Sequence, residues 1–325
     1  MLKVSVCIQT YNHRPFIAQA LDSVLMQETD FDYEIVLGED ESQDGTRQIC
    51  IDYAGRYPNR IRLFLRSRKD VIYIDGRPTG RFNFTENLKA APGEYIALLE
   101  GDDYWTDPRK LQRQVDFLEA HPECSMCFHG FTVRFEDGSR PPHVPAPPSG
   151  SIFSLEDVLV ANFIGTLTVM FRRRATQELP DWYFELAIGD WPLHILNAQY
   201  GDIGYIDSVM AVYRVHSAGI WSGKSHVQRA KAALEMYHHL RSYLGARYQK
   251  IIKAGMAKAC LALAAAYADE ENIGEARRNL WRSVAECPMN GLRQLVDVVA
   301  LALRLYTPRI HRLLKKLWVG SEASV

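Results

Sequence analysis

Short apolar runs rich in β-branched residues alternate with amphipathic segments through the first third of the chain, and this rhythm most constrains the fold. The predicted strands are Val4–Ile8, Tyr33–Leu37, Ile61–Leu65 and Tyr95–Leu99, and the predicted helices begin at Pro15, Thr46, Phe84 and Pro108. Strand and helix in alternation at this spacing indicate βαβ units. The sequence therefore predicts an α/β, Rossmann-like fold in which a mainly parallel sheet is sandwiched by helices.

The pattern changes after a proline-rich stretch, residues 141–148, which is predicted to be an extended loop. Beyond this loop, strands are predicted at Phe163–Phe171 and Ile203–Tyr213, on either side of a helix at Trp191–Gln199. These elements are expected to complete a first region, residues 1–222.

From about Val227 to Trp318 the periodicity is helical, which predicts a helical C-terminal region, residues 223–325. The spacing of one tetratricopeptide-type helical hairpin is found at Ala264, Tyr267, Ala276, Leu280 and Pro288. Basic and apolar residues interleave at the end of the region: Arg304, Arg309, Arg312, Lys315 and Lys316 with Leu301, Leu303, Leu305, Leu313, Leu314, Leu317 and Trp318. Two interpretations stay open, a helix that lies on the inner face of an anionic membrane and a helix that packs on its own domain.

Bulk properties narrow the class of protein. The 325 residues carry a net charge of -1, which gives no electrostatic reason to expect a nucleic-acid partner. The N-terminus lacks the features of a signal peptide, and no stretch approaches the roughly 20 apolar residues of a membrane span. Cys124 and Cys127 are expected to be buried thiols in a strand. A cytoplasmic protein is predicted.

Polar and acidic residues follow three of the predicted strands, where ligands bind in open parallel sheets. They are Thr10-Tyr11-Asn12 after the first strand, Glu39 to Thr46 after the second, and Glu100-Gly101-Asp102-Asp103 after the fourth. Like charges crowded beside an apolar core are unfavourable unless a hard cation relieves them. Mg²⁺ or Mn²⁺, held by one or two carboxylates and by substrate phosphates, fits this need. The alternative for the last cluster is a turn that leads into the helix after Pro108.

Glycine-rich phosphate loops are missing from the sequence, which has neither G-x-G-x-x-G after the first strand nor a P-loop. Their absence disfavours a dinucleotide-dependent dehydrogenase and a P-loop kinase. Neutralising a substrate phosphate is therefore expected to be the task of a metal ion.

Three motifs in order, VSVCIQTYN from Val4, DESQDGT from Asp40 and GEYIA from Gly93 leading into EGDD from Glu100, resemble the family 2 glycosyltransferases over about residues 1–220. Those are inverting enzymes of the GT-A fold, so the resemblance makes residues 1–222 a nucleotide-sugar-binding and catalytic domain. It implies that a nucleotide is bound by Thr10, Tyr11, Asn12, Asp40, Glu100, Gly101 and Asp103. It also places Asp102 at the metal-binding position of the D-x-D motif, with Glu100 as the first acid.

Further site residues are expected in the second half of the domain. The resemblance directs attention to Asp190 as the general base that takes the proton of an acceptor hydroxyl; the alternative is a helix N-cap. His216 is a candidate ligand of the metal or of a phosphate, against a plain surface histidine. Five basic residues could steer the phosphates, and Arg81 is the one favoured; the set is Arg66, Arg68, Lys69, Arg77 and Arg81.

The function predicted from these features is a metal-dependent, inverting transfer of one sugar from a nucleotide sugar, UDP-linked, to a hydroxyl of a glycan, a lipid-linked or another acceptor. Bacterial surface polysaccharide or glycoconjugate synthesis is the expected setting. No Q-x-x-R-W motif is present, which favours single transfer over polymer synthesis. The alternatives are a nucleotidyltransferase that acts on sugar phosphates and a non-catalytic nucleotide-sugar-binding protein.

Overall fold

The computed structural model describes residues 2–308, except 75, 147–148, 177–178, 218, 220, 222 and 288–290. The chain forms two compact units, Met1–Ser222 and Gly223–Val325. The two units are described one after the other.

The first unit combines helices with short and long strands. Its strands are β1 (Val4–Thr10), β2 (Tyr33–Glu39), β3 (Ile61–Leu65), β4 (Tyr73–Ile74), β5 (Arg77–Pro78), β6 (Tyr95–Glu100), β7 (Tyr104–Trp105), β8 (Cys124–Phe135), β9 (Ile152–Phe153), β10 (Met170–Arg172) and β11 (Asp202–Val215). Its helices are α1 (Ile17–Leu25), α2 (Thr46–Arg56), α3 (Arg81–Ala90), α4 (Lys110–Ala120), α5 (Leu155–Val160) and α6 (Asp190–Ala198).

One large sheet joins all of the strands listed above except β4 and β5. Its order is β3-β2-β1-β6-β10-β8-β11-β7, and β9 pairs with β11. The β3-β2-β1-β6 half is parallel, as predicted. The short strand β10 is antiparallel to both β6 and β8, so β8 and its parallel partner β11 run in the same direction as β1. The carboxyl ends of β1, β2, β6, β8 and β11 therefore point to the same edge, which we call the catalytic edge.

Burial explains why these segments are strands. Every residue of β1 is buried, including the polar Ser5, Gln9 and Thr10, because helices cover both faces of the parallel half and a strand there is mainly apolar. The stripe of Ile17, Ala20, Leu21 and Val24 on α1 packs into the same core. Cys124 and Cys127 are buried free thiols in β8, as predicted.

Two features differ from the sequence-based expectation. The strand predicted at Phe163–Phe171 is wrong for most of its length, because residues Thr166–Thr168 form a 3-10 turn and only Met170–Arg172 is strand. The hydroxyl of Thr168 donates to the carbonyl of Gly165 (2.7 Å), which stabilises the turn in place of a ladder. A strand was expected at Cys124 and Cys127, but its extension to Phe135 in β8 was not predicted.

Four helices make up the described part of the second unit: α7 (His226–Tyr243), α8 (Gln249–Asp269), α9 (Ile273–Glu286) and α10 (Leu292–Tyr306). The predicted hairpin corresponds to α8 and α9, where Ala264, Ala276 and Leu280 share one buried cluster with Leu301 and Leu305 of α10. Pro288 and the predicted basic segment, with Arg309, Arg312, Lys315, Lys316 and Leu313 to Trp318, lie outside the described residues.

One helix does reach the length and hydropathy of a membrane span, contrary to the expectation from the sequence. Within the segment Ala246–Asp269, the most apolar window of 18 residues has a mean hydropathy of 1.4, and 56% of that window is buried within the protein. Alanine-rich core helices pass the same test. This segment is therefore weak evidence for a membrane span.

Candidate functional site

Main-chain hydrogen bonds draw the first loops of the catalytic edge together. The amide of Asp40 donates to the carbonyl of Thr10 (3.1 Å), and the amide of Gly101 donates to the carbonyl of Gln9 (3.0 Å). Both bonds extend the parallel pairing of β1 with β2 and β6 by one step. Three motifs that are far apart in sequence thus become neighbours at one edge.

Asp40, Tyr11 and Arg68 form a group at the end of β1 and β2. Arg68 Nη1 lies 2.8 Å from Asp40 Oδ2, and its guanidinium lies 4.1 Å from the centre of the Tyr11 ring. Burial raises the pKa of Asp40, and the Arg68 charge opposes this effect. Asp40 Oδ1 is buried and has no hydrogen-bond partner among the described residues. An unpaired, buried acceptor beside an aromatic ring is suited to a planar ligand that carries an N–H group.

Asn12 holds the loop after β1 against the loop after β2. Its φ of 54° lies in the left-handed region, which asparagine tolerates better than most residues. Its amide donates to Ser42 Oγ (2.9 Å), and its Oδ1 accepts from the amide of Gln43 (3.0 Å). Asn12 therefore shapes the wall of the cleft through both its main chain and its side chain.

The acidic turn after β6 separates its two aspartates. Asp103 points inward, is 1% exposed and accepts a hydrogen bond from the amide of Arg214 (2.8 Å). Asp102 points to the catalytic edge. Gly101 between Glu100 and Asp102 has no room for a side chain, because a Cβ would lie 2.7 Å from Thr10 Cβ and 2.9 Å from His13 Nδ1.

His216 follows β11 directly and reaches Asp102 because β11 ends at the same edge. Its Nε2 lies 3.0 Å from Asp102 Oδ2, and its side chain is 8% exposed. The alternative of a plain surface histidine is therefore wrong. His13 Nε2 lies 3.7 Å from the same carboxylate oxygen, and Phe16 packs against the His216 ring at 4.7 Å between ring centres.

Negative charge is crowded around Asp102. Burial, followed by the charges of Asp102 and Asp190, raises the pKa of Glu100 to about 8. Burial and the Asp102 charge also raise the pKa of Asp103 well above its usual range. Burial alone would raise the pKa of Asp102 too, but the hydrogen bond with His216 and the nearby His13 ring hold that pKa below its ordinary value. Asp102 is thus the one of Glu100, Asp102 and Asp103 whose pKa lies below its ordinary value.

Asp102 and His216 fit a divalent cation whose coordination is completed by its substrate. No group of three or more His, Cys, Asp and Glu side chains forms a ready metal cage in the part of the chain that is described. Asp102 and His216 together offer one carboxylate oxygen and one imidazole nitrogen. Mg²⁺ and Mn²⁺ are commonly held by one or two protein ligands, water and phosphate oxygens. Thr10 Oγ1 and His13 Nδ1 are buried next to Gly101 and have no hydrogen-bond partner among the described residues, so both atoms are available to such a ligand.

Asp190 is the first residue of α6, and its carboxylate contacts side chains of the segment before β10 instead of capping the helix. The N-cap position is Gly189, with no side-chain capping bond, so the alternative role of Asp190 as N-cap is wrong. Asp190 Oδ2 lies 3.3 Å from Asn162 Nδ2 and 3.4 Å from Thr166 Oγ1. The 3-10 turn that replaces the predicted strand therefore orients this carboxylate.

Arg81 belongs to the Asp190 side of the site. Its buried guanidinium donates to the carbonyl of Leu186 (2.7 Å) and lies 5.0 Å from the centre of the Tyr183 ring. A side chain at Gly189 would overlap the guanidinium, so glycine is required where Arg81 meets the segment before α6. These contacts make Arg81 a support of the segment that carries Asp190.

Several residues that line the site were not singled out from the sequence. Arg68 was one of five basic candidates, and its contact with Asp40 depends on the loop after β3. Arg214 lies between the rings of Phe16 (5.1 Å) and Tyr104 (4.3 Å) and anchors the acidic turn. The sequence signals were, for Arg68, its place among the basic candidates and, for Arg214, a position two residues before His216.

The comparisons with known proteins agree with this geometry. The family model described as Glycosyl transferase family 2 matches residues 5–179. The chain belongs to this family. Among relatives of this family 2 glycosyltransferase, the putative teichuronic acid biosynthesis glycosyltransferase TuaG of Bacillus subtilis is 30% identical over 224 residues, which cover 68% of this chain and 82% of TuaG. The uncharacterized protein Rv1520 of Mycobacterium tuberculosis is 39% identical over 219 residues, or 67% of this chain. The match covers 60% of the length of Rv1520.

Solved structures confirm the GT-A fold of this family 2 glycosyltransferase. S. aureus TarS 1-349, in complex with UDP-GlcNAc, aligns with a TM-score of 0.61 and 17% identity, over 95% of this chain and 88% of TarS 1-349. The mannosyltransferase PcManGT from Pyrobaculum calidifontis, in complex with GDP-Man and Mn²⁺, aligns with a TM-score of 0.58 and 18% identity, over 97% and 83%. At these identities the likeness speaks for the fold alone.

Proposed function

We propose that this protein transfers a single sugar from a UDP-linked donor to an acceptor hydroxyl, with inversion at the anomeric carbon and with the help of Mn²⁺ or Mg²⁺. Residues 1–222 form the catalytic domain in this proposal. The observation that carries it is the position of Asp102, whose Oδ2 lies 3.0 Å from His216 Nε2 at the catalytic edge, where Asp40 also lies.

The two halves of the donor would be bound by different groups. Asp40 and Tyr11 are assigned to the base, where the unpaired Oδ1 of Asp40 would accept the imide N–H of uracil. Thr10, Asn12 and Gly101 shape the cleft, Asp103 supports the acidic turn from inside through the amide of Arg214, and Glu100 faces the ribose in this proposal. Asp102 and His216 would hold the metal ion, which supplies positive charge to the leaving diphosphate.

Proton removal is assigned to Asp190. An acceptor hydroxyl that attacks the anomeric carbon must lose its proton, and a carboxylate within hydrogen-bond reach can take it. Attack from the face opposite the leaving diphosphate gives inversion. Asn162, Thr166 and, through the preceding segment, Arg81 keep the carboxylate oriented.

The class of acceptor is argued from the names of two similar proteins. TuaG is named for teichuronic acid biosynthesis, and the structure of TarS contains UDP-GlcNAc. These names favour a bacterial surface polysaccharide or another glycan, free or lipid-linked, as the acceptor. The cytoplasmic location expected from the sequence stays a prediction, and so does single transfer rather than polymer synthesis.

The test is a panel of nucleotide sugars assayed for hydrolysis and transfer, with Mn²⁺, with Mg²⁺ and with a chelator. We expect turnover with a UDP-sugar to require the metal. Asp102→Asn removes an anionic ligand and preserves shape, so it should abolish metal-dependent donor binding and lower turnover by at least about 10²-fold. The matched control is Asp52→Asn on the exposed side of α2, which should change neither.

Three other outcomes of these assays would contradict the proposal. Release of pyrophosphate from a nucleoside triphosphate and a sugar phosphate would identify a nucleotidyltransferase. Metal-dependent binding of the donor, with no turnover on any acceptor, would identify a nucleotide-sugar-binding protein. Near-normal turnover of Asp102→Asn with Mn²⁺ would remove Asp102 from the metal site.

A further inference from the structure

The near-neutral charge of the chain conceals two strongly and oppositely charged parts. Residues 1–222 contain 21 Lys and Arg against 31 Asp and Glu, whereas residues 223–325 contain 17 against 8. The second unit therefore carries a net charge of +9 and the first a net charge of -10. Such a bias favours anionic partners for the second unit alone.

An apolar stripe without a described partner runs along α10 of the same unit. Leu292, Leu295, Val296 and Val299 are 79%, 44%, 58% and 49% exposed. Their spacing of three, four and seven residues puts them on one side of the helix. The neighbouring side, with Leu301 and Leu305, is already packed on α8 and α9. The exposed residues therefore take no part in packing α10 on α8 and α9.

Aromatic and basic side chains continue the surface at the end of α10. Tyr306 is 45% exposed, and its hydroxyl accepts a hydrogen bond from Trp281 Nε1 (2.8 Å) of α9, itself 61% exposed. The guanidinium of Arg277 lies 4.4 Å from the centre of the Tyr306 ring. We call Leu292, Leu295, Val296, Val299, Tyr306 and Trp281 together the α10 surface.

We propose that the α10 surface docks this protein on an anionic lipid bilayer. Apolar side chains backed by a strong positive charge are the features of a helix that lies in the interfacial plane of a membrane. Trp and Tyr favour that plane because they combine an apolar ring with a polar group. The proposal is independent of which sugar the first unit transfers.

Charge decides between a bilayer and the other occupants of such a surface. A second copy that packed through its own α10 surface would bring another +9 unit into contact, which like-charge repulsion opposes. The chain beyond residue 308 adds four basic residues and one acidic residue, so it shares the charge of the surface instead of complementing it. Anionic lipid complements both the charge and the apolar stripe.

The test measures binding of the full-length protein to vesicles of phosphatidylcholine with and without phosphatidylglycerol. We expect binding that needs the anionic lipid and weakens at least about tenfold when salt rises from about 0.05 to 0.5 M. Val296→Glu and Val299→Glu, combined, should weaken binding at least about tenfold beyond the effect of charge, because they remove apolar contact area.

Matched controls separate apolar contact from charge. Val144 and Val209 are 51% and 46% exposed in the first unit, so Val144→Glu and Val209→Glu, combined, make the same change of net charge without touching the α10 surface and should bind normally. Binding that ignores the valine substitutions, or that is equal on neutral vesicles, overturns the proposal. A dimer that the substitutions disperse without lipid would identify a second copy as the occupant. A loss of thermal stability without any vesicle binding would identify a segment of the chain itself.

Discussion

Asp102 and Asp103 are adjacent in sequence, but their surroundings differ completely. Asp103 is buried and accepts the amide of Arg214, whereas Asp102 meets His216 at the catalytic edge. The sequence predicts an acidic cluster here because acids follow an apolar strand. Which acid faces outward depends on the turn at Gly101 and on β11, more than 100 residues away in sequence. Local sequence carries no information on that choice.

The residue-scale prediction concerns Asp190. Asp190→Asn keeps the size and polarity of the side chain but cannot accept a proton. Transfer to the acceptor should fall by about 10²–10⁴-fold, and donor binding in the presence of metal should stay nearly unchanged. Steady-state kinetics together with calorimetry of donor binding measure the two effects separately.

The control for that experiment is Asp181→Asn. Asp181 lies in the same region but is exposed at the surface. This variant should keep full transfer. If Asp181→Asn loses transfer while Asp190→Asn retains it, the base has been assigned to the wrong carboxylate.

At the scale of elements, a polar clamp joins α3 to the parallel half of the sheet. Asn87 Nδ2 donates to the carbonyl of Ile8, and Asn83 Nδ2 donates to the carbonyl of Gly38, both at 2.9 Å. Arg66 donates to the Oδ1 atoms of the two asparagines, also at 2.9 Å. The clamp lies beneath the last residues of β1 and β2. The clamp therefore fixes the positions at which the chain leaves the sheet, at Thr10 and at Asp40.

The clamp predicts that Gly38 tolerates no side chain. A Cβ at this position would overlap Asn83 Oδ1 and the Asn87 amide. Gly38→Ala should lower the free energy of unfolding by roughly 1–3 kcal/mol through overpacking. Gly55→Ala is the matched control, because nothing lies within 4 Å of a Cβ at this position in the last turn of α2. This control should raise the free energy of unfolding by roughly 0.5–1 kcal/mol, measured for both variants by urea unfolding.

An element could be predicted from the sequence when its own residues determine it, and not when it depends on contacts with distant parts of the chain. Strands β1, β2, β3 and β6 are buried on both faces or bounded by clear turns, so their apolar runs reveal them. Strand β8 is buried only in its first half, and its second half is paired through contacts with β11. The turn at Thr166–Thr168 depends on the Thr168 hydroxyl and on packing, which a hydropathy pattern does not record.

For the whole molecule, the net charge of the full sequence conceals the difference between the two units. A net charge of -1 excludes no anionic partner once the two units are considered separately. The candidate site is likewise a product of the whole first unit, since it collects loops that begin after β1, β2, β6 and β11. The resemblance of motifs identified the family from a few of these residues. The supporting contacts of Arg68, Asn162 and Arg214 needed the folded chain.

The whole-molecule prediction is that donor binding is confined to the first unit. Hydrogen exchange of the full-length protein is measured with and without UDP and Mn²⁺. At about 100 times the dissociation constant, exchange that requires release of the ligand should slow about 100-fold. We expect this slowing at residues 9–14, 38–47, 66–70, 99–105 and 214–217, and none at residues 223–308. Asp102→Asn should remove the part of the protection that depends on metal. Slowing within residues 223–308 would mean that the helical unit contributes to the nucleotide site, and the assignment of catalysis to residues 1–222 would then have to be abandoned.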